Sequence, residues 1–295
     1  MRIVGIDIGG TYIKAGLVIN PPEVQTFRSV NTKTNILVEQ LVKIVLELKG
    51  EAVGIGIAGL VTNGIVYSSP NLPSIKELKL QKILQGKLKI SVSVANDADM
   101  VALGEWKYGA GKETHNLLIL TLGTGVGGGI IINDKLYTGK GFAGEVGHLT
   151  VDPNGALCGC GNHGCLETFV GSEYLSEKAH QGIKRNIKTT LSKYSKVTPE
   201  TISKEAYKGD TFAKSIIESA GHYLGIGIAS LCAVLDPEKV ILGGGISKVG
   251  EMLFKEIKKE VNKRLYSRKN IEILPAALGD HAGIVGSAFF VSSLM

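Results

Sequence analysis

Ile3-Val4-Gly5-Ile6-Asp7-Ile8-Gly9-Gly10-Thr11 opens the chain with an apolar run that ends in an acid and a glycine turn. So bounded, Ile3 to Ile8 reads as a buried strand, and the alternation from Tyr12 to Ile19 reads as the second strand of a hairpin. The theme returns roughly 115 residues later, and such recurrence predicts two related halves facing one cleft. In the return, Leu117 to Leu122 reads as a strand and Gly129 to Ile132 as another, with Gly123-Thr124-Gly125-Val126-Gly127-Gly128-Gly129 between them.

Working outward, Thr34 to Leu48 carries apolar residues at helical spacing and stops at Gly50, a residue suited to the position after a helix end. Val53 to Ile57 and Ser91 to Ala95 read as strands, and Asn96-Asp97-Ala98 opens a helix that runs to Tyr108. Residues 172–222 are polar and helical, with a helix start at Thr198-Pro199-Glu200. An apolar helix from Leu224 to Leu235 follows, then a strand from Lys239 to Leu242 that runs into Gly243-Gly244-Gly245. Alternating strands and helices predict an α/β protein. The expected boundary falls near Thr114. A small lobe would span 1–114, completed by a returning C-terminal helix at 282–295 within the helical segment Gly279 to Met295, and a large lobe would span 115–281.

Composition narrows the function classes. Of 295 residues, 44% are hydrophobic and 20% charged, which excludes a disordered chain. The longest apolar stretch, Tyr223 to Leu235, has 13 residues, short of a bilayer span. Asp7 interrupts the N-terminal apolar run and no small-residue cleavage site follows, so no signal peptide is expected and the expected location is the cytoplasm. The net charge of +6 is spread out. The five arginines (Arg2, Arg28, Arg185, Arg264, Arg268) are scattered, and lysines alternate with acids, as in Lys255 to Glu260. Neither a nucleic-acid partner nor a membrane is expected.

Four groups of residues carry chemistry. In Asp7-Ile8-Gly9-Gly10-Thr11, the glycines let backbone N–H groups approach phosphate oxygens while the carboxylate holds hydrated Mg²⁺; an ordinary hairpin turn is the plain alternative. The run from Gly123 to Gly129 has five glycines in seven residues. Each weakens a strand by roughly 0.5–1 kcal/mol against Ala, which points to close backbone approach to a ligand. No helix follows, so the run is not a dinucleotide fingerprint, and it lacks the Gly-Lys-Ser/Thr ending of a Walker A loop. Asn96-Asp97 reads either as helix capping or as a general base for a substrate hydroxyl with Asn96 orienting the same substrate. Finally, Cys158, Cys160 and Cys165 with His148 match a closed tetrahedral zinc site, and His163 offers an alternative fourth ligand. Glu145 and Glu167 flank that loop, placed either to accept hydrogen bonds from sugar hydroxyls or to serve as surface charge.

Assembled, these residues resemble the ROK family of sugar kinases, repressors and related proteins. The likeness covers essentially the whole chain: Asp7 to Thr11, Asn96-Asp97-Ala98, Gly123 to Gly129, Gly139 through Gly144 to Gly147-His148, the cysteine loop with Glu167, and Ile241 to Ser247. It implies a two-lobed actin-like ATPase (ribonuclease H-like) fold with a cleft between the lobes. By resemblance, Asp97 is the catalytic base, while Gly59, Asn71, Asn96, Asp97, Glu145, His148 and Glu167 hold the sugar. His148 also ligates structural Zn²⁺ with Cys158, Cys160 and Cys165. Asp7, Gly9, Gly10, Thr11 and Lys14, with Gly123, Thr124, Gly125 and Gly127, face the phosphates of Mg²⁺-ATP, and Gly243, Gly244 and Gly245 lie along the nucleoside.

The chain departs from many members at Ala58 and Leu60, where proline is common, and lacks a tryptophan common after Asn71-Leu72-Pro73. The implied activity is phosphorylation of a hexose at its 6-hydroxyl, glucose or a relative. Kinases of N-acetylated amino sugars or of fructose share every catalytic residue and remain alternatives. A sugar-responsive repressor carries an added DNA-binding domain, which is not expected where Met1-Arg2 leads straight into the first strand. A homodimer or higher homo-oligomer is also expected by resemblance.

Overall fold

A computed structural model describes residues 1–266 and 271–295; Arg268 lies outside them. Among the described residues the strands form three sheets. The first has the order Val24–Asn31, Tyr12–Val18, Ile3–Ile8, Ala52–Ile57, Ser91–Asn96. Its hairpin is antiparallel, as the sequence implied, and its last three strands run parallel. Ile8, Ile57 and Asn96 share one register, so three carboxyl ends lie side by side. In open α/β sheets this edge is where ligands bind.

Helix Leu37–Leu48 buries Leu41, Val45 and Leu48 in one core with Ile6, Ile8, Ile55 and Ile57. It ends at Leu48, as the sequence implies, but its start and the residue that turns left-handed differ from the sequence reading. Thr34–Ile36 is a tighter 3₁₀ turn, and the left-handed residue that ends the helix is Lys49 (φ 52°), not Gly50. Gly50 instead serves packing, because a Cβ there would lie 2.6 Å from Val4 Cγ2.

The C-terminal segment begins as a 3₁₀ turn, Gly279–His281, followed by helix Ala282–Ser293. Ile284, Ala288 and Val291 form a core with Ile3, Val18 and Ala52. The approach is close enough to require glycine. A methyl on Gly54 would strike the Ser287 carbonyl, and one on Gly286 the Met100 carbonyl. Ser287 Oγ also donates to the Ile6 carbonyl at 3.1 Å.

The second sheet has the order Lys135–Leu136, Val126–Ile132, Leu117–Leu122, Lys239–Gly243, Glu272–Pro275. Here the strand after the glycine turn starts earlier than expected, so Gly127, Gly128 and Gly129 lie within it. Gly129 permits this because a Cβ would meet the Ala102 side chain and sit 2.9 Å from the Ala98 carbonyl oxygen. The third sheet, Leu60–Thr62, Ile65–Ser68 and Lys76–Leu78, has no counterpart in the sequence reading.

The expected apolar helix from Leu224 is the second half of a 25-residue helix, Thr211–Leu235. By length and composition that helix is able to cross a membrane, which the 13-residue apolar stretch did not suggest. Ile216, Ile217, Leu224 and Ile228 are nonetheless buried inside the protein, as in a core helix. Helix Pro199–Tyr207 starts with the expected cap, Thr198 and Thr201 bonding each other's backbone N–H groups. The chain divides into two compact units. One comprises Met1–Ile119, Gly129–Gly144 and Ala276–Met295; the other comprises Leu120–Gly128 and Glu145–Pro275.

Candidate active site

In the first unit, the three parallel carboxyl ends collect the chemistry. Asn96 caps helix Asp97–Tyr108: its Oδ1 accepts from the N–H groups of Ala98 (2.8 Å) and Asp99 (3.2 Å). Its amide donates to the Gly59 carbonyl at 3.0 Å, so both ends of the side chain are fixed. Asp97 is the first helical residue, with Oδ1 accepting the Ala98 N–H at 2.9 Å. Asn96 thus fills the capping role and leaves the neighbouring acid at the sheet edge. Gly59 sits at φ +132°, a conformation side chains disfavour, and a Cβ would strike the Ser68 carbonyl.

The hairpin turn lies beside these residues. Gly9 N–H donates to the Tyr12 carbonyl at 2.9 Å, and Thr32 Oγ1 donates to the Gly9 carbonyl at 2.8 Å. Gly10 and Thr11 are exposed. A Cβ on Gly10 would approach Asn71 Cβ to 2.9 Å, which places Asn71 against the turn. Asp7 faces Lys14 across the hairpin, and Lys14 Nζ lies 3.1 Å from Asp280 Oδ1. Burial pushes the Asp7 carboxyl up to about 6; the Lys14 ammonium opposes that rise and Asp280 adds to it.

In the second unit, the glycine turn closes on itself, Gly123 N–H donating to the Gly125 carbonyl at 2.9 Å. Ser172 N–H holds the Gly123 carbonyl at 3.0 Å. Glu167 Oε2 accepts the Val126 N–H at 3.1 Å, and a Cβ on Gly125 would collide with that oxygen. A methyl on Gly171 would come within 2.6 Å of the Thr124 carbonyl oxygen. Gly244, at φ +85°, lies against Leu122, so the Gly243–Gly245 turn adjoins the entry to the glycine run.

The cysteine loop gathers its donors. His148, Cys158, Cys160 and Cys165 offer ligand atoms that all lie within 4.8 Å of one another. Cys158 Sγ is 3.6 Å from His148 Nδ1, and Cys160 Sγ is 3.6 Å from Cys165 Sγ. A zinc tetrahedron with bonds near 2.3 Å has edges of about 3.8 Å, so this donor set fits a closed site. His163 is outside the group, its Nδ1 lying 3.1 Å from the Gly155 carbonyl oxygen. Burial pushes the Cys165 thiol up to about 12, whereas the Asn162 backbone N–H lowers Cys160.

Glu145 Oε2 lies 3.9 Å from His148 Nε2, the ring nitrogen opposite the thiols. Burial raises the Glu145 carboxyl; His148 counters that and nearby Glu167 reinforces it. Glu145, His148 and Glu167 therefore form one cluster around the loop. Gly59, Asn71, Asn96 and Asp97 form the other set, in the first unit.

Comparison with known proteins decides the lineage: the profile of the ROK family matches residues 3–293. This chain belongs to the ROK family. The ROK protein is 35% identical to the glucokinase of Halalkalibacterium halodurans, over 98% of its own length and 94% of the relative's. Its fold matches that of a ROK family glucokinase from Streptomyces griseus, solved in complex with glucose and AMPPNP. There the TM-score is 0.88 at 33% identity, covering 99% of this chain and 100% of that one. The ROK hexokinase of Thermus thermophilus matches with a TM-score of 0.86 at 29% identity, covering 100% and 99%. The α/β, actin-like ATPase fold implied by the sequence is thus the fold of this ROK protein.

Two carboxylates in the first unit, Asp280 beside Lys14 and the buried Glu105, escaped the sequence reading. Asp280 lies just before an apolar helix, where an acid reads as a cap. Glu105 is a buried carboxylate inside helix Asp97–Tyr108, and only its place among apolar neighbours marked it.

Proposed function

We propose that this ROK protein is an ATP-dependent hexose kinase that transfers the γ-phosphoryl group of Mg²⁺-ATP to the 6-hydroxyl of glucose. The observation that carries the reading is the placement of Asn96-Asp97 at the edge of three parallel strands, in a chain 35% identical to a glucokinase. Asp97 accepts the proton of the attacking hydroxyl. The transition state of phosphoryl transfer is loose, so most of the rate comes from position, with the base supplying a smaller factor. Gly59, Asn71, Asn96, Glu145, His148 and Glu167 are the residues assigned to sugar hydroxyls. Phosphate oxygens take backbone N–H groups from Gly10 and Thr11 and from Thr124 and Gly125, while Gly9 and Gly123 close the two turns and Gly127 leaves room for the approach. Asp7 holds hydrated Mg²⁺, Lys14 supplies positive charge, and Gly243–Gly245 follows the nucleoside.

His148, Cys158, Cys160 and Cys165 would hold structural Zn²⁺, a closed site that rigidifies the loop. With Nδ1 turned to the thiols, His148 presents Nε2 to the sugar beside Glu145. The reading includes a cytoplasmic homo-oligomer whose ligands are sugar and nucleotide, with no nucleic-acid partner.

The test is a coupled ADP-release assay with zinc-replete protein and Mg²⁺-ATP. It compares kcat/KM for glucose, mannose, fructose, N-acetylglucosamine and N-acetylmannosamine. Glucose should rank first; turnover with none of the five would overturn the kinase reading, and an N-acetylated sugar or fructose in first place would reassign the substrate.

A further inference from the structure

We propose that Asp280 is a positioning residue of the phosphoryl-donor site, fixing the Lys14 ammonium beside Asp7, with Glu105 clamping the loop that delivers it. The proposal rests on the kinase reading only in taking the donor to be Mg²⁺-ATP.

Lys14 and Asp7 stand directly opposite each other in the antiparallel hairpin. Side chains at such positions share a face with Cβ atoms about 5 Å apart. Left alone, a flexible lysine would lie down on the nearest carboxylate and neutralise it. Asp280, arriving from 266 residues away, takes a hydrogen bond from Lys14 Nζ at 3.1 Å. The hairpin can then present two functions: a carboxylate for a hydrated cation and an ammonium for a phosphate oxygen.

The delivering segment is pinned at both ends. Ala277 and Leu278 N–H groups donate to the two oxygens of Glu105 at 3.0 and 2.8 Å, and Ala110 N–H donates to the same carboxylate at 2.9 Å. Glu105 is fully buried, in the helix that Asp97 begins. Beyond Asp280, Gly283 lies against Asp7, where a Cβ would sit 3.0 Å from the Asp7 Cγ. The helix carrying Asp97 and the hairpin carrying Asp7 are thereby tied through residues 277–283.

Stability does not account for the Lys14–Asp280 pair. Its side chains are 32% and 62% exposed, and ion pairs this open to water add little to folding. Its effect belongs in donor binding.

The experiment compares wild type with Asp280→Asn, Asp280→Ala and Asp280→Glu. It reads KM for Mg²⁺-ATP and for glucose, Tm, and the calorimetric Kd of a non-hydrolysable ATP analogue with Mg²⁺. Losing one charge-assisted contact should raise the nucleotide KM and the analogue Kd of Asp280→Asn and Asp280→Ala about 5- to 20-fold. The glucose KM and Tm should hold, and Asp280→Glu should recover most of the loss. An unchanged analogue Kd in Asp280→Asn overturns the proposal, as does a fall in Tm with both KM values moving together. Should wild type bind the analogue but turn over no hexose, the kinase reading fails while the Asp280 effect on Kd still decides this one. Wild type that binds no analogue overturns the proposal outright.

Discussion

Glu167 joins two parts of the site through one carboxylate: Oε2 accepts the Val126 N–H at 3.1 Å, and Oε1 lies 3.9 Å from Cys158 Sγ. The glycine turn is therefore braced from the cysteine loop, and a residue proposed to touch sugar also shapes the backbone proposed to touch phosphate. Glu167→Ala should lower kcat/KM for Mg²⁺-ATP about 10- to 100-fold, the worth of one hydrogen bond to a charged group. Glu167→Gln keeps a carbonyl acceptor for Val126 and should fall between. Steady-state kinetics with each substrate varied measures this; equal kcat/KM for Mg²⁺-ATP in wild type and Glu167→Ala would contradict the brace.

The metal prediction follows from the same loop. Elemental analysis of purified protein should find one zinc per chain. Removing it with a strong chelator should lower Tm and activity together, because His148 belongs to the loop cluster and is proposed to hold the sugar as well. Protein that keeps both after the metal is gone would show the cysteine cluster to be incidental.

Acid stability has an identifiable source among residues 189–213. Burial alone would raise the Asp210 carboxyl, but hydrogen bonds from Ala213, Thr189 and Thr190 outweigh it and hold Asp210 at about 2. Lys193, then Thr190, Tyr194 and Lys208, hold Glu205 well below the usual carboxylate range. Both folded values lie below the unfolded ones. Their stabilisation is thus fully present above the ordinary carboxylate range near pH 4 and is lost as pH falls through the folded values. Melts from pH 2 to 7 should show a falling acid limb that Asp210→Asn and Glu205→Gln flatten. An acid limb identical in all three proteins would contradict it.

The close approach of helix Ala282–Ser293 to the first sheet and to helix Asp97–Tyr108 depends on hydrogen in place of a methyl. Gly54→Ala and Gly286→Ala each force a Cβ into a backbone carbonyl. Each should cost about 1–3 kcal/mol or more by chemical denaturation, as overpacking does. By contrast Gly86→Ala, in an exposed helix position with nothing within 4 Å, should be neutral or stabilising.

What was legible in the sequence follows a physical pattern. The hairpin, the parallel strands and the Asn96 cap were readable because apolar runs and capping residues act locally. Gly50 misled because a glycine after a helix usually ends it, whereas here a distant contact with Val4 demands the small residue. The strand Val24–Asn31 was invisible, since most of its residues are exposed and it lacks the alternation of a half-buried strand. The Cys158, Cys160, Cys165 and histidine cluster was readable from spacing, yet His148 and His163 were separable only once His163 was found on the Gly155 carbonyl. Asp280 could not be foreseen, because its partner Lys14 lies 266 residues away.

Asp97 is the residue proposed to take the proton of a hexose hydroxyl. Asp97→Asn keeps an oxygen able to accept the Ala98 N–H, so the helix start should survive. The measurement is ADP release with Mg²⁺-ATP and glucose, run beside calorimetric glucose binding for wild type and Asp97→Asn. Wild type should turn over, and the variant should lose about 10²- to 10⁴-fold in kcat while binding glucose with similar affinity. A variant that still phosphorylates glucose at the wild-type rate would contradict the claim.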